Sequence, residues 1–202
     1  MKMIAVSGGI HSGKTTWVKN TVALSDRIIK SNFDLNDVFR EFYIKTNIDS
    51  LRSNEIEHLF FQSEGLLSEV INNIRYHNVD VFSDKIIIQD RSIVDSLYYF
   101  TKYAKYIDAE QFKFFQDKML EIFSIFAKDY YKMDYIFLMK PIRDRYHNSF
   151  VHTRPKNFDY NFQISEYNGI KSLYKEYCKD SIVLEESHER YTKMIKDMLN
   201  DV

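Results

Sequence analysis

Eight consecutive residues near the start of the chain, Gly8-Gly9-Ile10-His11-Ser12-Gly13-Lys14-Thr15, follow the pattern glycine, four residues, glycine, lysine, then serine or threonine. Glycines let the main chain curl until successive N–H groups point inward at phosphate oxygens, and a helix starting near Lys14 adds the positive end of its dipole. Lys14 offers a mobile cation for the terminal phosphates of a nucleotide, and the Thr15 hydroxyl can ligate magnesium. The segment follows the apolar run Met1 to Val6 and precedes the helix-compatible run Thr16 to Leu24, which is the placement this chemistry requires. His11 fills a variable position of the loop.

A second constellation lies at Asp90-Arg91-Ser92, directly after the apolar run Lys85-Ile86-Ile87-Ile88-Gln89. An acid and a base therefore emerge where a buried strand leaves its sheet, the edge at which open α/β sheets bind ligands. A carboxylate there can hold a magnesium-bound water or orient an acceptor hydroxyl, and an adjacent arginine can neutralise charge on a moving phosphoryl group. The plainer alternative is an Asp–Arg ion pair capping the next helix. Between Lys140 and Lys156 stand five basic residues, Lys140, Arg143, Arg145, Arg154 and Lys156, against the single acid Asp144. In a chain of otherwise balanced charge this local excess suggests an anion site, with Arg154 the preferred phosphate contact and Arg143 the second. His147 and His152 lack the spacing and the acidic or thiol partners of a zinc site.

Positioning these groups needs strands that end together. Short β-branched runs at Lys2 to Val6, Arg27 to Lys30, Lys85 to Gln89, Asp134 to Met139 and Ser181 to Leu184 alternate with longer segments of helical period. That alternation implies crossover connections and a mostly parallel five-stranded sheet covered on both faces, a three-layer α/β/α fold. Ile56, Leu59, Phe60, Leu67, Val70, Ile71 and Ile74 form one apolar stripe, on a helix capped by Ser53. Phe112, Phe115, Met119, Ile122, Phe123 and Phe126 form a second, and Tyr191, Met194, Ile195, Met198 and Leu199 a third. All three read as core.

The chain of 202 residues fits a single domain, with a lid at about 140–160. Its 45% hydrophobic content, with only 2 Pro and 5 Gly, belongs to a folded protein with short loops. A net charge of -1 provides no general field for coating nucleic acid or acidic membranes. The lone Cys178 has no partner for an internal disulfide and reads as a packed thiol on a helix face, which fits a reducing compartment. Met1 to Val6 is too short for a signal-peptide core or a membrane span, so the expectation is a soluble, cytoplasmic protein, with a homodimer left open.

The order Ser7-Gly8-Gly9-Ile10-His11-Ser12-Gly13-Lys14-Thr15-Thr16, then Asp90-Arg91-Ser92 with Asp95, Ser96, Tyr98 and Tyr99, resembles the thymidylate kinase and deoxynucleoside kinase superfamily. It is also similar to the related nicotinamide riboside kinase-like P-loop domains. The resemblance implies a P-loop kinase fold that holds ATP with Mg2+ and passes the γ-phosphoryl group to a nucleoside or nucleoside monophosphate. It implies Gly8 to Thr16 and Arg143 as ATP contacts, Thr15 and Asp90 as metal ligands, and Lys14, Asp90, Arg91 and Arg154 as catalytic groups. Phe60-Phe61-Gln62 is similar to the deoxynucleoside kinase helix that reads the base edge, which brings Phe61 and Gln62 into the acceptor site beside Arg91. Two departures stand out: Ser7 occupies a position where these kinases carry an acid, and after the second strand the chain reads Lys30-Ser31-Asn32-Phe33-Asp34. Asp34 and Asp90 are therefore both candidates for the general base. Two rival readings remain: a kinase acting on a 5′ end or modified base within DNA, and a nucleotide-dependent regulatory ATPase.

Overall fold

The computed structural model describes residues 1–9, 12–31, 71–72, 74–76, 78–104, 110, 113–114, 117–118, 121, 133–142 and 160–200. The chain divides into two compact units, one of Met1–Lys30, Ser83–Asp90 and Met133–Val202, the other of Ser31–Phe82 and Arg91–Lys132.

In the first unit, β1 (Lys2–Gly8), β2 (Ile28–Lys30), β3 (Ile86–Asp90), β4 (Tyr135–Met139) and β5 (Ile182–Leu184) form one parallel sheet in the order β2-β3-β1-β4-β5. All five strands expected from the sequence are present, with small shifts at their ends. β1 sits in the middle, its residues after Lys2 all buried, because both edges pair: Val6 lies opposite Asp90 on β3, and Gly8 opposite Met139 on β4. Parallel sheets require crossovers on both faces, which is why these strands are near-continuous Ile, Val, Leu and Met.

One face presents Ile4, Val6, Ile86, Ile88, Phe137 and Met139 to helices α1 (Lys14–Val22) and α4 (His188–Asn200). Trp17 is the centrepiece: its ring meets Phe137 and Tyr191 edge-on, while Phe137 and Tyr191 stack with centroids 4.3 Å apart. The Trp17 indole N–H donates to Thr192 Oγ1 at 2.9 Å and to the His188 carbonyl, tying α1 to the first turn of α4. At the other end of α4, the Arg27 guanidinium donates to the Leu199 carbonyl, satisfying a terminal acceptor. The third apolar stripe of the sequence is thus α4, with Tyr191 and Ile195 fully buried.

On the opposite face, helix α3 (Tyr160–Tyr177) packs on β1, burying Gln163, Glu166, Tyr167, Ile170 and Tyr174 at helical spacing. Cys178, just past its end, is buried and in no disulfide, and its backbone N–H donates to the Tyr174 carbonyl, in agreement with a packed side chain.

The second unit contains α2 (Ile93–Ala104), a 3-10 turn at Asp80–Phe82, and Tyr76, whose ring meets Phe82 edge-on. Ile71 is 64% exposed, so this member of the first stripe is not core: a helical period identifies one face of a helix, but a residue near the end of that stripe can still face solvent. Ile74 is half-buried, and the remaining members of that stripe, like those of the second, lie outside the described residues. Among the described residues no helix is long and apolar enough to cross a membrane.

Tyr191 serves as a peg between strands. Its buried hydroxyl accepts the Glu186 N–H at 2.8 Å and donates toward the carbonyls of Leu184 at 2.8 Å and Leu138 at 3.1 Å, and burial pushes its pKa up to about 12. Tyr191→Phe keeps the ring stack but leaves these groups short of a partner, so urea unfolding should show a loss of ~1–2 kcal/mol at an unchanged m-value. Glu185, the first residue after β5, accepts the Tyr167 hydroxyl and pairs with Lys171. The Lys171 and Tyr167 hydrogen bonds hold its carboxyl below the usual carboxylate range, so its stabilising contribution is complete above the ordinary glutamate value and is lost as pH falls through the lowered folded pKa. Glu185→Gln should therefore be less stable than the wild type at pH 7, with the gap closing as the pH is taken down below the usual carboxylate range.

Candidate functional site

At the carboxyl end of β1 the chain must turn out of the sheet without disturbing β4. A β-carbon on Gly8 would stand 2.1 Å from the Met139 carbonyl oxygen, and Gly8 adopts φ 129°, so glycine is required here both for space and for backbone conformation. A β-carbon on Gly9 would lie 2.5 Å from Cγ of Pro141 and 3.0 Å from the Gln163 carbonyl oxygen. The loop is therefore pressed between the residues that follow β4 and the first turn of α3. Gly13 closes the turn at φ 85° as the N-cap of α1, whose first bond runs from the Trp17 N–H to the Gly13 carbonyl.

Lys14 is 6% exposed, and its Nζ donates to the Gly8 carbonyl at 2.9 Å, the Gly9 carbonyl at 2.7 Å and Ser12 Oγ at 3.1 Å. An ammonium has three protons to give, and the loop itself supplies three oxygens, which is how a buried cation is tolerated. α1 carries no acidic residue in its first turn and no side-chain cap, so the positive end of its dipole is not compensated from within the helix. Thr15 beside it is half-buried and Thr16 exposed.

β3 delivers the second group. Asp90 is its last residue, 2% exposed and opposite Val6, and by strand alternation it shares a face with Ile86 and Ile88, the face on which α1 packs. The sheet thus brings Asp90 to the side where Lys14 and Thr15 open α1. A buried carboxylate and a hydroxyl are hard oxygen donors and suit magnesium, which keeps several waters and takes few protein ligands. Among the described residues no group of three or more His, Cys, Asp or Glu could hold a metal by itself.

In the second unit, Arg91 follows with φ 82°, a conformation that side-chain-bearing residues rarely adopt, and its guanidinium lies 5.4 Å from the centroid of the Tyr99 ring. Helix α2 is capped by its own residues: Asp95 accepts the Ser92 N–H at 3.0 Å while Ser92 Oγ accepts the Val94 N–H at 3.1 Å. Strained backbone of the kind at Arg91 concentrates at functional sites.

Of the residues singled out from the sequence, Gly8, Gly9, Ser12, Gly13, Lys14, Thr15, Thr16 and Asp90 come together at one end of the central sheet, and Arg91 follows Asp90 directly in the chain. Ile10, His11, Asp34, Phe61, Gln62, Arg143 and Arg154 lie outside the described residues, as does nearly all of the lid segment. Sequence reading passed over Gln163 and Pro141 as walls of the loop. The signal for Gln163 was hidden because α3 buries polar residues, Gln163 and Glu166, at positions where a helix stripe would ordinarily be apolar.

No family model matches the chain, and no curated protein matches it. Solved structures do. The chain superposes on a NadR protein in complex with NR with a TM-score of 0.62 and 18% identity, covering 100% of this chain and 51% of that one. It also superposes on a NadR protein in complex with NAD and AMP-PNP with a TM-score of 0.65 and 17% identity, covering 98% and 49% respectively. The chain has the α/β fold of these proteins, with a five-stranded parallel sheet, and spans about half their length.

The geometry at Arg91 makes a direct prediction. Alanine normally stabilises relative to glycine, by ~0.5–1 kcal/mol, but at positive φ the order reverses. Arg91→Gly should unfold at higher urea than Arg91→Ala, by ~1 kcal/mol, when the two variants are compared side by side.

Proposed function

We propose that the chain is an ATP- and magnesium-dependent phosphotransferase acting on a nucleoside or nucleoside monophosphate. The observation that carries this reading is the glycine loop closing on the buried Lys14 ammonium at the head of α1. Lys14 donates there to the Gly8 and Gly9 carbonyls and to Ser12 Oγ, and phosphate oxygens are better acceptors for an ammonium than carbonyls are. A triphosphate tail would receive the main-chain N–H groups of the loop, the dipole of α1 and the Lys14 charge together.

Thr15 and Asp90 would hold Mg2+, which when bound supplies charge neutralisation between the terminal phosphates. Asp90 or Asp34 would orient the acceptor oxygen, and Arg91, with Arg154 from the lid, would balance charge spreading over the transferred group. Phe61 and Gln62 are the proposed contacts to the acceptor base, and Arg143 a further ATP contact. The fold likeness to a NadR protein solved with AMP-PNP, and to one solved with NR, supports a nucleotide donor and a nucleoside-like acceptor. Soluble, cytoplasmic work on a small molecule is the setting this implies.

Incubation with labelled ATP and a panel of nucleosides, nucleoside monophosphates, NR and short oligonucleotides should transfer label to a free nucleoside or its monophosphate. Label appearing only on oligonucleotides, or only as free phosphate, would replace this reading with one of its rivals. Lys14→Ala should fold and turn over at least ~100-fold more slowly, because it removes a preorganised charge from the transition state. Unchanged turnover in that variant would end the assignment.

A further inference from the structure

Gln163 is fully buried, and among the described residues neither its side-chain oxygen nor its nitrogen has a hydrogen-bond partner. A buried amide that makes no hydrogen bond opposes folding, and a bound ligand is one thing that can supply the missing partner. Its position says what that is. Gln163 lies in the first turn of α3, on the stripe that faces β1, and its own carbonyl oxygen is what a β-carbon on Gly9 would meet at 3.0 Å. The Gly8–Gly9 end of the loop is also where the Lys14 ammonium rests, on the carbonyls of both glycines. Because this lysine in such loops serves the outer phosphates, that end of the loop is where those phosphates are held.

We infer that the Gln163 carboxamide is a binding group for the terminal phosphate of the nucleotide, contributed by α3 rather than by the loop. This rests on the phosphotransferase reading and adds a residue to it. The carboxamide can donate through nitrogen to a phosphate oxygen while its oxygen accepts a proton from a bound water or from the acceptor hydroxyl. A neutral donor at this point adds recognition without adding charge to a site that already holds Lys14.

The test is calorimetric titration of the full chain, with Mg2+, against AMP-PNP and against ADP. Gln163→Met keeps the volume and removes both polar atoms. Its melting temperature should equal or exceed that of the wild type, its affinity for AMP-PNP should fall ~10-fold, and its affinity for ADP should change less than ~2-fold, because ADP lacks the phosphate concerned. Gln163→Asn, which retains the amide on a shorter stem, should recover part of the AMP-PNP affinity and serves as the deciding variant if the methionine form does not fold. Equal loss for both nucleotides together with a lowered melting temperature would make Gln163 a prop for the loop and overturn the inference. Unchanged affinity for AMP-PNP would overturn it as well, leaving the phosphotransferase reading in place. Wild-type protein that binds neither nucleotide would remove both.

Discussion

The Met139 carbonyl oxygen leaves no room for a β-carbon at residue 8, and most of the arrangement at this edge of the sheet follows from that. β1 is paired on both sides, so its only exit is at the carboxyl end, past β4, through a backbone conformation that glycine alone adopts easily. Having turned, the chain runs under Pro141 and the first turn of α3, and the loop can close only because Lys14 satisfies the carbonyls that the turn leaves facing inward. Packing shapes the loop from outside and the ammonium braces it from within.

Alternation along β3 then divides the labour between the two faces of the sheet. Asp90 falls on the face of α1, whereas Gln89, one residue earlier, falls on the other, and both are buried. Register does the rest: because Asp90 stands opposite Val6, the carboxylate comes level with the strand end from which the loop departs. A slip of one residue would turn the acid to the wrong face. The large apolar surface at Trp17, Phe137 and Tyr191 holds that register by fixing α1 and α4 against three neighbouring strands.

Much of this was legible in the residues. Doubly covered strands announce themselves as short runs of branched aliphatics, so all five were found, and the glycine-lysine spacing located the loop because only that pattern satisfies its sterics and charge together. The C-terminal stripe identified α4 for the same reason: Tyr191 and Ile195 recur at four residues and both are buried. Of α3 only the end next to Cys178 read as a helix face, because its earlier buried side includes Gln163 and Glu166, and periodicity of apolar residues is blind to a helix that buries polar ones. Position 71 misled in the opposite sense, since an isoleucine at the right spacing is 64% exposed. Strain at Arg91 leaves no trace in residue type, because nothing in the sequence Asp90-Arg91-Ser92 specifies a positive φ.

The chain contains one tryptophan, and it lies three residues past Lys14, in the helix that the loop feeds. Its indole N–H is shared between two oxygens of α4, and two aromatic rings flank it. Tryptophan emission, excited beyond the absorption of the 15 tyrosines, therefore has a single origin, buried in the helix that the loop feeds and sensitive to any tilt of α1 that breaks the Thr192 contact. The molecule carries its own optical gauge of the loop's state, with no label to be added and no second fluorophore of its kind to subtract.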